Sequence, residues 1–343
     1  MTWTRTKLRR DAGVFSLLVA AALTSVLFAN EAYAQMPSSA DQMRTLMEHR
    51  QEMSARSVLE TNKQRFEEKK SDTAFPSDSL KRTAGVLRAL TPEQQKALKH
   101  NDRGMELFSK GKLDGAIKEY GEAIRLDPKL AAAHNNLGSA QFAAARFEEA
   151  VAAFRQALEL DAESGQTFFN LALAQIKLGR QKEATDALDS ALRCYATAGE
   201  AHLKAGRLKE AEEAFRGMLQ IDPEYGPALL RLGLVYNDAS RYEESAQCAR
   251  RVAEREPNNA AAHALLAEAL YGQEKFEEAA VSAESAVKVS PNFSVAIYTA
   301  GLARASLRQR EAALAHLARL RQLNSPTLAQ ELSEFIDKKA PAK

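Results

Sequence analysis

Most of the chain repeats itself every 34 residues, and that period constrains the fold more than any other feature. It shows first in one small residue that closes a recurring charged stretch. DGA ends at Ala116, FEEA at Ala150, KEA at Ala184 and again at Ala211, EES at Ser245, FEEA at Ala279 and EAA at Ala313. The steps are 34, 34, 27, 34, 34 and 34 residues. A second series, Gly104, Gly138, Ala172, Gly199, Gly233, Ala267 and Gly301, takes the same steps and has the same short one. Two parallel series with a shared defect do not arise by chance.

The residue types explain the period. Small side chains at fixed positions let two antiparallel helices approach closely. Leu137, Phe154, Leu171, Phe215, Leu232 and Tyr236 fill the space between them. Gly111, Gly179 and Gly206 fall where a tight turn needs positive φ. Asp127-Pro128, Asp222-Pro223, Pro257 and Pro291 separate one helix pair from the next. Each pair leaves an apolar face that only a neighbouring pair can cover, so the pairs must stack. The expected fold is all-α, an α-solenoid of antiparallel helix pairs.

Asn136-Leu137-Gly138 followed by Ala150 and Phe154, and Leu232-Gly233 with Tyr236 closed by Pro257, resemble the tetratricopeptide repeat family. The resemblance covers residues 97–326 and places seven repeats at 97–130, 131–164, 165–191, 192–225, 226–259, 260–293 and 294–327. Residues 328–343 then read as a solvating cap helix and tail, burying Leu328, Leu332, Phe335 and Ile336. The third repeat lacks seven residues between Ala191 and Gly199. This predicts a shortened helix around Tyr195. Whether the gap is a functional notch or a tolerated deletion stays open, as does the alternative that residues 192–198 form no proper first helix.

The N-terminus carries an address. Arg5, Lys7, Arg9 and Arg10 precede 18 uncharged residues, Ala12 to Ala29, and Ala32 and Ala34 form an A-x-A site. Residues 1–34 therefore read as a signal peptide cleaved before Gln35, with an uncleaved N-terminal anchor as the alternative. Either way the repeats face the far side of the membrane, which for a bacterial signal is the periplasm or the exterior. Residues 35–90 are polar and partly helical, an arm ending in the linker Ser71 to Ser79. Thr91, Pro92 and Gln94 then make a helix start with a capping box.

Without residues 1–34 the charges fall from 47 basic against 45 acidic to 43 against 43. The remainder is neutral and interspersed, which argues against a nucleic-acid partner. Nothing points to a cofactor, a metal or an enzyme. The sequence contains no H-E-x-x-H, C-x-x-C, G-x-S-x-G or P-loop pattern. His100, His134 and His263 all hold the fourth position of their repeats, so they read as spacers rather than a shared metal site. The recurring pairs Glu148-Glu149, Glu212-Glu213, Glu243-Glu244 and Glu277-Glu278 read as a solvated helix face. Cys194 and Cys248 lie a whole repeat apart, which disfavours a bridge.

The resemblance implies a ligand groove lined by the first helix of each repeat. Its candidate lining is Asn101, Met105, Asn135, Asn136, Ser139, Phe142, Asn170, Leu173, Lys177, Arg231 and Tyr271. Asparagine amides can bridge to a peptide backbone without reading its side chains. Phe142 and Phe169 could equally belong to the core between repeats. The first two repeats lack the lysines of the family's carboxylate-clamp members. The expected function is an exported scaffold that binds a protein or peptide segment, in a cell-envelope assembly. An accessory subunit recruiting a separate enzyme, and self-association through the repeat ends or the arm, are the alternatives.

Overall fold

The structure, a computed structural model, describes residues 90–341. The expected signal or anchor segment, and all of the 35–90 arm except Leu90, lie outside these residues. The described chain forms fourteen α-helices and no strand. It divides into two compact units between Tyr195 and Ala196. The first holds α1 (Pro92–Ser109), α2 (Leu113–Leu126), α3 (Ala131–Ala143), α4 (Phe147–Leu160), α5 (Gly165–Lys177) and the start of α6 (Gln181–Lys204). The second holds the end of α6, then α7 (Leu208–Ile221), α8 (Gly226–Asp238), α9 (Tyr242–Arg255), α10 (Ala260–Gly272), α11 (Phe276–Val289), α12 (Ser294–Ser306), α13 (Arg310–Gln322) and α14 (Pro326–Lys339). Within each unit, successive helices joined by short turns pack side by side, an α-solenoid of paired helices.

The capping box expected at the start of α1 is formed. Thr91 Oγ1 accepts from Gln94 N at 3.2 Å, and Thr91 N donates to Gln94 Oε1 at 3.0 Å. Every turn inside a repeat closes through one residue with positive φ: Gly111, Ala145, Gly179, Gly206, Ser240, Glu274 and Arg308. These positions take the same steps as the two sequence series. The following amide reaches back over the turn, as Arg146 N does to Gln141 O at 2.8 Å, and ties off the first helix. Four of the seven positions carry a side chain in a conformation that favours glycine.

The connections between repeats are built differently. Asp127, Asp161 and Asp222 leave the helix in extended backbone. Each accepts a hydrogen bond from the amide two residues on, for example Glu224 N to Asp222 Oδ1 at 3.0 Å. Two of the three fourth-position histidines belong to this connection, whereas His100 Nδ1 lies 2.7 Å from Glu119 Oε2. His134 Nε2 meets Pro128 O at 3.0 Å, and His263 Nε2 meets Pro257 O at 2.9 Å. They fasten the start of a first helix to the turn before it.

One expectation fails. No shortened helix lies around Tyr195; α6 is instead the longest helix described, at 24 residues. It serves as the second helix of one repeat and the first helix of the next. Phe147 to Lys177 takes 31 positions to run through a second helix, a connection and a first helix, whereas Gln181 to Lys204 takes 24, seven fewer. The missing residues include the helix breakers. Leu192 to Ala198 contains no proline, glycine, aspartate or asparagine, so nothing stops the helix. Seven residues fall only ~20° short of two helical turns, so the two halves stay in phase. Ala184, Leu188, Ala191, Tyr195 and Gly199 accordingly make one buried stripe.

The anchor positions are the closest contacts of the core. Ala116, Ala150, Ala184, Ala211, Ser245, Ala279 and Ala313 are all fully buried. A β-carbon placed on Gly138 would lie 2.7 Å from the ring of Phe154, and one on Gly199 would lie 2.6 Å from Phe215. These glycines are room for a ring. On α14, Leu332 and Ile336 are buried against Leu317, Leu320 and Leu302, with Leu328 and Phe335 partly buried beside them.

Candidate functional site

In the first unit the first helices α1, α3 and α5 meet along a line of side-chain amides. Asn136 Nδ2 donates to Asn101 Oδ1 at 2.9 Å, and Asn170 Nδ2 donates to Asn135 Oδ1 at 3.1 Å. The rule is the same at both seams: an asparagine at the fifth position of one repeat accepts from one at the sixth position of the next. The line continues through Gln166 Nε2 to Asn170 Oδ1 at 2.8 Å, and Tyr195 Oη to Gln166 Oε1 at 3.0 Å. It ends there because the third repeat carries Phe169 at its fifth position, buried in the core.

The structure brings six of the candidate residues together here. Asn101 and Asn170 are buried, so their amides hold the seam itself. Asn135 and Asn136 are half-buried and use one amide atom each across the seam. Asn135 Nδ2 and Asn136 Oδ1 remain, one donor and one acceptor on adjacent residues. Ser139 is buried and donates to Asn135 O at 3.0 Å. Met105 is half-buried under Asn101 Nδ2, 3.6 Å from its sulfur.

The other candidates are placed elsewhere. Phe142 is 2% exposed and sits edge-on against Phe147, so it is core and not groove lining. The ring packs on the first residue of the second helix of its own repeat. Leu173 is likewise buried. Lys177 lies half-buried at the end of α5. Tyr271, in the second unit, packs its ring on Phe276, and its hydroxyl lies 3.3 Å from Ser306 Oγ. Burial raises the Tyr271 phenol above its ordinary range, so it stays neutral.

Arg231 does not stand open. Its Nε lies 2.7 Å from Glu200 Oε1, with the two side chains 13% and 22% exposed. Burial lowers the pKa of Arg231, and Glu200 opposes that. Two acids, Asp238 on α8 and Glu268 on α10, stand beside this line. Glu268 on α10 has a buried Oε1 without a hydrogen-bond partner, and its Oε2 lies 3.5 Å from Asn237 Nδ2. Burial, with the charge of Asp238 second, pushes the Glu268 carboxyl up to about 8, and burial pushes Asp238 up to about 6. The sequence signal was available: Glu200 and Glu268 stand exactly two periods, 68 residues, apart once the gap has passed.

Among the described residues, no group of three His, Cys, Asp or Glu side chains could hold a metal ion. No described helix is long and apolar enough to cross a membrane. Cys194 and Cys248 are both free thiols, and burial pushes that of Cys248 up to about 11.

Family models described as TPR repeat and tetratricopeptide repeat match residues 104–144, 131–164 and 202–269. Comparison with the curated proteins found no match. Several solved structures resemble the chain. A tetratricopeptide repeat protein from Parabacteroides merdae is 17% identical, covering 71% of this chain and 99% of its own at a TM-score of 0.37. The complex of the TPR2AB domain of yeast Sti1 with pHSP90 gives 21% identity, 72% and 98% coverage and a TM-score of 0.32. YrrB, described as a TPR protein with an unusual peptide-binding site, gives 19%, 59%, 90% and 0.28. At scores this low the likeness bears on neither partner nor activity.

Proposed function

The chain belongs to the tetratricopeptide repeat family, and from that premise we propose that it is an exported scaffold holding an extended segment of a protein partner along its first-helix faces. The observation that carries this reading is the amide seam of α1, α3 and α5. Two buried asparagines fix the geometry, and Asn135 Nδ2 and Asn136 Oδ1 are left over as a donor and an acceptor. A peptide bond offers the complementary acceptor and donor. Such contacts hold backbone, and apolar neighbours such as Met105 add burial. The chemistry is binding; no group of the site is placed as a nucleophile or a general base.

The test separates the outward amide from the structural one. Asn135→Asp keeps the Oδ1 that accepts from Asn170 and removes the free donor. Capture from the envelope fraction with the intact chain, with Asn135→Asp and with Val281→Asp on the exposed second-helix face should lose the partner only in the first substitution. Equal recovery with all three would refute the groove. Export is part of the proposal and rests on residues 1–34. N-terminal sequencing of the mature protein should begin at Gln35; an intact Met1 on a membrane-bound chain would favour the anchor.

A further inference from the structure

In the second unit the same acid occurs twice and its arginine once. Glu200 on α6 and Glu268 on α10 hold equivalent repeat positions. Arg231 on α8 stands 31 residues after Glu200 and closes a largely buried pair with it at 2.7 Å. The residue 31 places after Glu268 is Thr299 on α12, buried, uncharged and occupied with Val295 O at 3.0 Å. Glu268 thus has the setting of an ion pair and lacks the cation.

The polar groups around it are acceptors in excess. Glu268 Oε1 and Asn237 Oδ1 are both buried without a hydrogen-bond partner. The carboxyl of Asp238, next to Asn237, makes no ion pair among the described residues. Several cations on the neighbouring helices are engaged elsewhere. Arg304 and His316 face Glu284, and the α9 arginines Arg250, Arg251 and Arg255 face Glu243 and Glu224. Asp238 is the charged group that acts on Glu268. Both acids keep part of their residue surface open to solvent, whereas Glu268 Oε1 and Asn237 Oδ1 are themselves covered, so an entering group must part the side chains over them.

We infer that the seam of α8 and α10 takes the guanidinium of an arginine from a bound polypeptide, completing between chains the pair that Arg231 completes within this one. Arginine fits better than lysine. Its planar fork brings several donors to acceptors left without partners, and it tolerates loss of water better than an ammonium. The inference rests on the scaffold reading for the polypeptide that carries the arginine, and it names that polypeptide's chemistry.

Binding also moves a proton. In the free protein Glu268 is mostly protonated near neutral pH, because its carboxyl titrates at about 8. An entering guanidinium favours the carboxylate and expels that proton. Affinity should therefore rise with pH up to about 8 and level off above it.

The full chain is titrated calorimetrically with a blocked Ala-Ala-Arg-Ala-Ala peptide and with the same peptide carrying citrulline, the uncharged isostere. Two buffers of different ionisation enthalpy count the protons. The arginine peptide should bind about tenfold tighter and release close to one proton near neutral pH. Glu268→Gln should abolish both the preference and the release while leaving the citrulline peptide unchanged. Equal affinity for the two peptides, a preference that survives Glu268→Gln, or no binding of either would each overturn the arginine site. The scaffold reading is decided apart from this, by the capture experiment with Asn135→Asp.

Discussion

The first-helix seams of the two units solve one problem in opposite ways. Between α1, α3 and α5, polar side chains are neutral and satisfy one another: Asn136 with Asn101, Asn170 with Asn135. Between α8 and α10 the polar groups are acids and their amide neighbour, and Glu268 Oε1 and Asn237 Oδ1 have no partner. A neutral amide pair is stable as it stands and leaves spare atoms for a backbone. An unpaired buried carboxyl is costly until something cationic arrives. The contrast teaches that one scaffold can hold a generic grip on main chain and a selective grip on a charged side chain.

The comparison can be broken at several points. The largest effect is expected at the pair that is closed. Glu200→Ala leaves Arg231 charged and mostly buried, and should cost about 3 kcal/mol in urea unfolding. At the open acid the sign reverses. Glu268 titrates at about 8 in the folded chain, above its ordinary 4.5. The unfolded chain loses that proton first, so stability falls as pH rises between these values and is level above them. Glu268→Gln should therefore stabilise by on the order of 2 kcal/mol at pH ~8 and by little at pH ~4. Thermal melts at the two pH values give the difference.

Within the amide seam the effects are smaller. Asn136→Ala strands Asn101 Oδ1 and should cost about 1.5 kcal/mol, whereas replacing both asparagines should cost less than the sum of the single changes. Denaturant curves for the three variants close the cycle. The smallest change is a control shared by both units. Ala145 and Ser240 hold positive φ where other repeats have glycine. Ala145→Gly and Ser240→Gly should each raise stability by about 0.5 kcal/mol, and unequal gains would show that the turns are not equivalent.

What was legible in the sequence follows from how local each cause is. The period, the turn glycines and the Thr91 capping box depend on residue type at fixed spacing, and the helices follow them. His134 and His263 were legible as structural, but their partner was not, because a proline carbonyl leaves no mark in side-chain identity. The gap near Tyr195 was visible and its consequence misjudged. Seven lost residues suggest a shorter helix until one notices that the breakers went with them and that the helical phase survived. Phe142 shows the limit at the site itself: its position suits the groove, and only packing against Phe147 decides that it is core. The asparagine pairs needed knowledge of which positions face each other across a seam. Glu268 needed the same knowledge, since its significance lies in Thr299 standing where an arginine would.

The central claim is that a partner lies along the first-helix faces. It is tested most directly by photo-crosslinking in cells, with a photoreactive residue replacing Asp102 on α1 or Val281 on α11. Both positions are exposed, the first beside the amide seam and the second on the second-helix face. The account predicts a discrete crosslinked protein from position 102, lost when Asn135→Asp is added, and none from position 281. A crosslink from position 281 alone, or one from position 102 that ignores Asn135→Asp, would contradict it.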